Sequence, residues 1–191
     1  MMENGTHFEG TTDHAVRFYD NERSLAQLVA DFLAEGLAAD NPGIVVATAS
    51  QRAAIVRELV SRSLDVVQLQ KSRDLVLLDS ADTLAMFMTG DTPDATAFND
   101  TMCEVIKTAC RGRSDCTVRI YGQMVDVLWQ AGKQQAAVRL EMLWNQLAQG
   151  HGFSLMCGYA MGHFYKTVDI EDVCRHHTHV VSADGKWSRV A

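Results

Sequence analysis

Cys174, His177 and His179 stand in a C-x-x-H-x-H pattern, with His176 inside it and Cys157 and His163 upstream. Thiolate and imidazole together suit Zn²⁺, iron or copper. If residues 178–181 form a strand, His177 and His179 share a face while Cys174 lies on the preceding helix. A metal centre on Cys174, His177 and His179 is then open, and so is a helix-to-strand junction whose histidines are merely hydrogen-bonded. Glu141 and Asn145 lie four residues apart, on one helix face beside Trp144. A carboxylate and an amide next to an indole could hold a small polar or aromatic ligand, or could flank a core tryptophan as a surface-side pair. Leu75–Asp79 is an apolar run ending in Asp, like the strand that holds Mg²⁺ in phosphate-loop enzymes and equally like a strand followed by a helix cap. No G-x-S-x-G elbow, C-x-x-C pair, G-x-x-x-x-G-K-[ST] or G-x-G-x-x-G occurs. Nucleophilic catalysis, a zinc ribbon and phosphate-loop hydrolysis therefore have no support.

These residues depend on elements that the hydrophobic pattern outlines. Ala15–Tyr19 reads as a strand, and Leu25, Leu28, Val29, Phe32, Leu33 and Leu37 recur at helical spacing after it. Ile44–Thr48 and Leu75–Leu78 are apolar, β-branched runs of the kind buried on both faces of a parallel sheet. Ser50 is placed to cap the helix that carries Ile55 and Leu59, and Asp79 to terminate its strand. A short helix is expected around Leu84–Met88 and a long one over Ala95–Cys110, lined by Phe98, Met102, Val105, Ile106 and Ala109. Thr117–Tyr121 and Phe153–Tyr159 are further strands. Between them run one helix through Leu128 and Trp129 and a second on Leu140, Leu143, Trp144 and Leu147. Asp184-Gly185 predicts a C-terminal hairpin between residues 178–181 and 187–190. Strands alternate with helices, so the expected class is α/β with a mostly parallel central sheet between helical layers. Ligands of such sheets bind beyond the strands' carboxyl ends. That rule selects Tyr19–Asn21, Thr48–Ser50, Asp79-Ser80, Tyr121–Gln123 and Tyr159–Met161. Acidic Asp20 and Glu22 at the first tip would repel phosphate.

The length of 191 residues suits one domain, expected over residues 14–191 after a flexible, polar segment 1–13. A net charge of −7 and the lack of a Lys/Arg run argue against direct nucleic-acid binding. No apolar stretch is long enough for a membrane span, and residues 1–13 lack the pattern of a signal peptide. With five cysteines, an odd number, the thiols read as reduced and the location as cytoplasmic.

An ordered series of stretches, opening with His14–Leu25, Phe32–Leu37 and Ile44–Thr48 and closing with Phe153–Tyr159 and Cys174–Val180, resembles one family, the MEDS sensory domain of methanogens, methylotrophs and the dichloromethane-responsive regulator. His14–Leu25 (HAVRFYDNERSL) matches its H-x-x-x-F-Y-x-x-x-x-x-L opening, and Phe32–Leu37 and Ile44–Thr48 continue the match. Leu78-Asp79 with Thr83–Met88 resembles the L-D-A-x-x-T-L-x-x-F-M segment. Arg119–Trp129 (RIYGQMVDVLW), Leu140–Leu147 (LEMLWNQL), Phe153–Tyr159 and Cys174–Val180 complete it. The resemblance implies a RecA/KaiC-like fold whose phosphate loop is lost, and a sensory, non-catalytic role. Family members sit in bacterial or archaeal proteins beside histidine kinase, PAS or DNA-binding domains and are thought to sense small hydrocarbon derivatives. The family pattern marks His14, Phe18, Tyr19, Gly122, Glu141, Trp144, Asn145, Cys157, Tyr159, His177 and His179. One departure is Gln123, where the family usually has Glu.

The expectation is a small-molecule sensor in signal transduction, acting through a partner histidine kinase or transcription regulator. Its pocket would lie at the strand ends around Tyr19, Tyr121, Gln123, Glu141, Trp144 and Tyr159, with His14, Phe18 and Asn145 contributing. The only cofactor in view is a small organic ligand, or a metal ion at Cys174, His177 and His179. The alternatives are a ligand-free regulator working by protein contact, and a Cys/His metal or redox sensor. Homodimerisation would suit a signalling module. The match leaves no stretch for a kinase, so the chain is expected to be free-standing or a piece of a longer protein.

Overall fold

The computed structural model describes residues 13–113, 116–164 and 167–190. The expected N-terminal segment thus falls, for residues 1–12, outside the described residues. The strands are β1 (His14–Tyr19), β2 (Gly43–Ala47), β3 (Leu75–Asp79), β4 (Met88–Thr89), β5 (Thr92–Pro93), β6 (Val118–Gly122), β7 (Phe153–Ala160), β8 (His179–Val181) and β9 (Trp187–Arg189). The helices are α1 (Glu22–Ala38), α2 (Ala49–Ser61), α3 (Val66–Lys71), α4 (Ser80–Ala85), α5 (Ala95–Cys110), α6 (Met124–Gln130), α7 (Gln134–Ala148) and α8 (Thr167–Cys174).

Seven strands form one sheet in the order β3-β2-β6-β7-β1-β8-β9. All neighbours are parallel except β9, which turns back antiparallel on β8. The expected three-layer α/β architecture and C-terminal hairpin are therefore present. Alternation along each strand sends side chains to two cores. Val16, Ile44, Ile120, Leu155 and Cys157 face the layer of α4 to α8, while Ala15, Val45, Tyr121 and Met156 face α1 to α3. His14 shares the parity of Val16, so the first strand carries an imidazole into the α7 side.

Local signals act as their chemistry dictates. Asn21 caps α1 by accepting from the Ser24 N–H at 2.9 Å. Thr48, two residues before the expected Ser50, caps α2 through the Gln51 N–H. Asp79 caps α4 by accepting from Ala81 and Asp82 N–H at 2.9 and 3.2 Å. It also holds Arg52 at 2.7 Å. The helix expected around Leu84–Met88 instead ends at Ala85, and β4 and β5 form a small hairpin after it. The turn at Gly90, with φ 61°, interrupts the helical period there. Val105 is half-buried, while Phe98, Met102, Ile106 and Ala109 form the buried stripe of α5.

Candidate functional site

Helix α7 buries Ala137, Leu140, Trp144 and, on the same stripe, Glu141. A carboxylate at 0% exposure must be paired or neutralised. Glu141 meets four side chains from three other segments. His14 at the start of β1 brings Nε2 to 3.1 Å from Oε2. Cys157 in the middle of β7 places Sγ 3.4 Å from the same oxygen and 3.4 Å from His14 Nε2. The Tyr159 hydroxyl donates to Oε1 at 2.8 Å. His177, in the link between α8 and β8, has Nε2 3.3 Å from Oε1. Asn145, one turn along α7, donates its Nδ2 to the His176 carbonyl at 2.8 Å, which turns Oδ1 toward His14 Nδ1 at 2.9 Å. The two imidazole rings lie 4.2 Å apart.

Burial pushes the Glu141 carboxyl up, but His177 and His14 in their protonated forms outweigh it and hold the group below the ordinary carboxylate range. Burial lowers the pKa of His177, and Glu141 offsets this only in part. Cys157 and Tyr159 are both pushed well above their ordinary values, by burial first and then by the Glu141 charge. Thiol and phenol therefore stay protonated at neutral pH. His14, Glu141, Cys157 and His177 could hold a metal ion, since their ligand atoms all lie within 4.8 Å of one another.

An aromatic group adjoins this network through Tyr159. Trp129 stacks on Phe164 with centroids 4.8 Å apart, and Phe18 meets Phe164 edge-on at 5.3 Å. Trp129 is buried, whereas Phe18 and Phe164 are half-buried. The apolar group therefore reaches the surface, as does Asn145, while His14, Glu141, Cys157, Tyr159 and His177 are buried.

The strand tips are built differently. Asp126, in the first turn of α6, is fully buried. It accepts from the Tyr19 hydroxyl at 2.8 Å, Gln130 Nε2 at 2.8 Å and the Ala160 N–H at 3.0 Å. Burial raises its pKa, and these three bonds restrain the rise. Gln123 Oε1 accepts from the Thr48 N–H and hydroxyl at 3.1 and 3.2 Å. A depression of about 700 Å³ lies at the tips of β1 and β2, lined by Asp20, Glu22, Arg23, Ser50, Arg57 and Glu58 among others.

The structure thus divides the residues singled out in the sequence. It brings together His14, Glu141, Asn145, Cys157, Tyr159 and His177 beneath the sheet, with Phe18 beside them. Tyr19 and Gln123 are at the strand tips. Tyr121 is buried on the opposite face of the sheet, and Trp144 is in the core, edge-on to Phe98 at 5.0 Å. No single pocket among the described residues gathers Tyr19, Tyr121, Gln123, Glu141, Trp144 and Tyr159. Glu141 is a buried group and not a surface-side partner of Trp144. Of the C-x-x-H-x-H residues only His177 joins the cluster. Cys174 ends α8 half-buried, and His179 Nδ1 faces Asp13 at 3.7 Å and the Thr178 hydroxyl at 2.9 Å. Asp126 was not singled out in the sequence. Its placement in the first turn of an otherwise apolar helix after β6 is the signal that finds it.

The sequence model of the family described as "MEthanogen/methylotroph, DcmR Sensory domain" (MEDS) matches residues 13–178. No curated protein matches the chain. Among solved structures, a KaiC-like protein of the hyperthermophilic archaeon Pyrococcus horikoshii OT3 is similar with a TM-score of 0.62 and 14% identity. The alignment covers 90% of this chain and 71% of that one. At that identity the likeness speaks to the fold alone, and it agrees with a RecA/KaiC-like sheet.

Proposed function

The chain belongs to the MEDS family of sensory domains, and from that premise we propose that it is a non-catalytic sensor of a small, mostly apolar molecule. The ligand's input site would be the Glu141 network and the aromatic group that roofs it. The observation that carries this reading is the junction at Tyr159. Its hydroxyl donates to Glu141 at 2.8 Å, and its ring lies 5.7 Å from both Trp129 and Phe164. A hydrocarbon derivative has an apolar body and one polar group. Phe18, Trp129 and Phe164 suit the body, and the polar network suits the group. The output passes to a partner histidine kinase or transcription regulator, because a ligand signals only by favouring one conformation or one complex over another. His177 joins the network from the link to β8, so a ligand there would act on the sheet edge.

The test is a panel of short halogenated and hydroxylated hydrocarbons, read by thermal melting and by Trp fluorescence. A ligand at 100 times its Kd stabilises by about 2.7 kcal/mol. For a domain of this size that raises Tm by roughly 5–10 °C. Phe164→Ala, with its fold checked by circular dichroism, should lose the shift. Flat melting across the panel, with a kinase or regulator still bound, would leave the contact-based regulator as the better reading.

A further inference from the structure

We propose that His14, Glu141, Cys157 and His177 form a site for one divalent transition-metal ion, zinc being the natural occupant of such a donor set. His177 Nδ1 lies 2.8 Å from the Val173 carbonyl, which can only accept, so Nδ1 carries the proton. Nε2 of the neutral ring is then a lone pair. It is buried, makes no hydrogen bond among the described residues, and faces Glu141 Oε1 at 3.3 Å. The same logic fixes His14. The Asn145 amide is oriented by the His176 carbonyl, so its Oδ1 accepts from His14 Nδ1 and leaves His14 Nε2 bare toward Glu141 Oε2 at 3.1 Å. Two imidazole lone pairs thus converge on one carboxylate, each ring held by a carbonyl oxygen behind it. Metal-binding histidines are oriented in this way.

A proton on one ring relieves one contact, and the single Cys157 S–H, 3.4 Å from both His14 Nε2 and Glu141 Oε2, can donate to only one of those two atoms. A dication meets both. The spacing also fits. In a tetrahedron with zinc bonds of about 2.0–2.3 Å, ligand atoms stand roughly 3.3–3.7 Å apart. His14 Nε2, Cys157 Sγ and Glu141 Oε2 stand 3.1, 3.4 and 3.4 Å apart, His177 Nε2 is 3.3 Å from the other carboxylate oxygen, and one ligand atom from each of the four residues lies within 4.8 Å of the rest, a spread that a small shift on loading would close. Charge balances as well. With a carboxylate, two neutral imidazoles and a thiolate, M²⁺ gives a neutral buried unit, whereas most buried charge is costly. Loading breaks the Cys157 S–H bond, forms an S–metal bond and releases one proton to solvent, with no change of oxidation state. The ligands come from β1, α7, β7 and the link to β8, so the ion would pin the sheet edge to the α7 layer.

This inference shares with the proposed function the premise that the Glu141 network is the input site, and the experiment separates the two. Chelator-stripped full chain is titrated with Co²⁺ and then Zn²⁺. The expected result is one ion per chain, a thiolate-to-cobalt absorption band, tetrahedral visible bands, and one proton released per ion. Zn²⁺ should displace the cobalt. Cys157→Ser should abolish the thiolate band, and His177→Gln should weaken binding by more than about 100-fold, beyond the 10–100-fold typical of outer-shell changes. X-ray absorption on the zinc-loaded wild type is independent of whether those variants fold, and should show one sulfur with imidazole and oxygen neighbours. An absence of stoichiometric binding, or a shell without sulfur, overturns the inference. If hydrocarbons still shift the melting of the stripped protein, the sensor reading survives that failure. If the metal binds as described and no hydrocarbon does, the sensor reading fails alone.

Discussion

Tyr121→Phe should stabilise this protein, although it removes a polar group from a residue that the sequence marks as a site candidate. The Tyr121 ring lies on the α1 side of the sheet at 0% exposure, and its hydroxyl has no hydrogen-bond partner among the described residues. A buried polar group left unpaired costs about 1–3 kcal/mol. Deleting the oxygen opens a void of order 10 Å³, which at about 24 cal/mol per Å³ costs roughly 0.2–0.3 kcal/mol. The balance is a gain of about 1–2.5 kcal/mol, or roughly 3–8 °C in Tm for a chain of this length. A second substitution makes the reasoning strict. Gly158 of β7 lies against the Tyr121 ring, and a Cβ there would stand 2.8 Å from the hydroxyl but 3.3 Å from the nearest ring carbon. Gly158→Ala should therefore cost about 1–3 kcal/mol in the wild type, as overpacking does, and much less in the Tyr121→Phe background. Urea unfolding of the four proteins gives the cycle, with an expected coupling of about 1–2 kcal/mol and unchanged m-values. A destabilised Tyr121→Phe would mean that the hydroxyl is bonded, and an additive cycle would mean that the two residues do not touch. Either result refutes the argument.

Two further predictions concern ionised groups. Glu141 has its pKa lowered in the folded chain, so its contribution to stability is present above the ordinary glutamate value of 4.5 and is lost as pH falls through the folded value. Wild-type stability, measured by urea unfolding of stripped protein, should decline on acidification below that value. Glu141→Gln should lack this part of the slope and be less stable at neutral pH; an unchanged slope would refute the assignment. Asp79→Ala should cost about 1–2 kcal/mol through the lost cap of α4. Mg²⁺ should leave the melting of the wild type unchanged, because Arg52 and two backbone N–H groups already take the Asp79 oxygens. A Mg²⁺-dependent shift abolished by Asp79→Ala would reverse that conclusion.

The elements were legible because their signals are local. The β-branched run at residues 44–47, the period of α5 and the Asp184-Gly185 turn each carry their own answer, and the structure keeps all three. The β4–β5 hairpin was not legible, because two-residue strands leave no period to read. The candidate site was legible in membership but not in grouping. Cys174, His177 and His179 look like partners because they are close in sequence, yet a turn and a strand start point them apart. The groups that meet are separated by as many as 164 residues in the β1–β8 contact, and only sheet order places them side by side. Parity within strands was the usable clue. His14 with Val16, and Cys157 with Tyr159, alternate toward the same layer into which the α7 stripe carries Glu141.

The polar groups at the strand tips are engaged within the fold. At the tips of β1 and β7, Asp126 takes up the Tyr19 hydroxyl and the Ala160 N–H, groups that would otherwise be free to meet a ligand. At β2 and β3, Arg52 donates to the Ala47 and Leu78 carbonyls, at 2.5 and 3.2 Å, and to Asp79. Gln123 takes the Thr48 N–H. A ligand binding there would have to displace bonds that are already satisfied, and would gain little in exchange. Beneath the sheet the balance is opposite. Two imidazole lone pairs and a carboxylate face one another in a dry setting, where each unrelieved contact is costly and a cation or proton that relieves it is correspondingly favoured. These strand-tip groups thus serve the fold, whereas the Glu141 cluster, on the α7 side of the sheet, keeps a buried imidazole nitrogen without a hydrogen bond among the described residues.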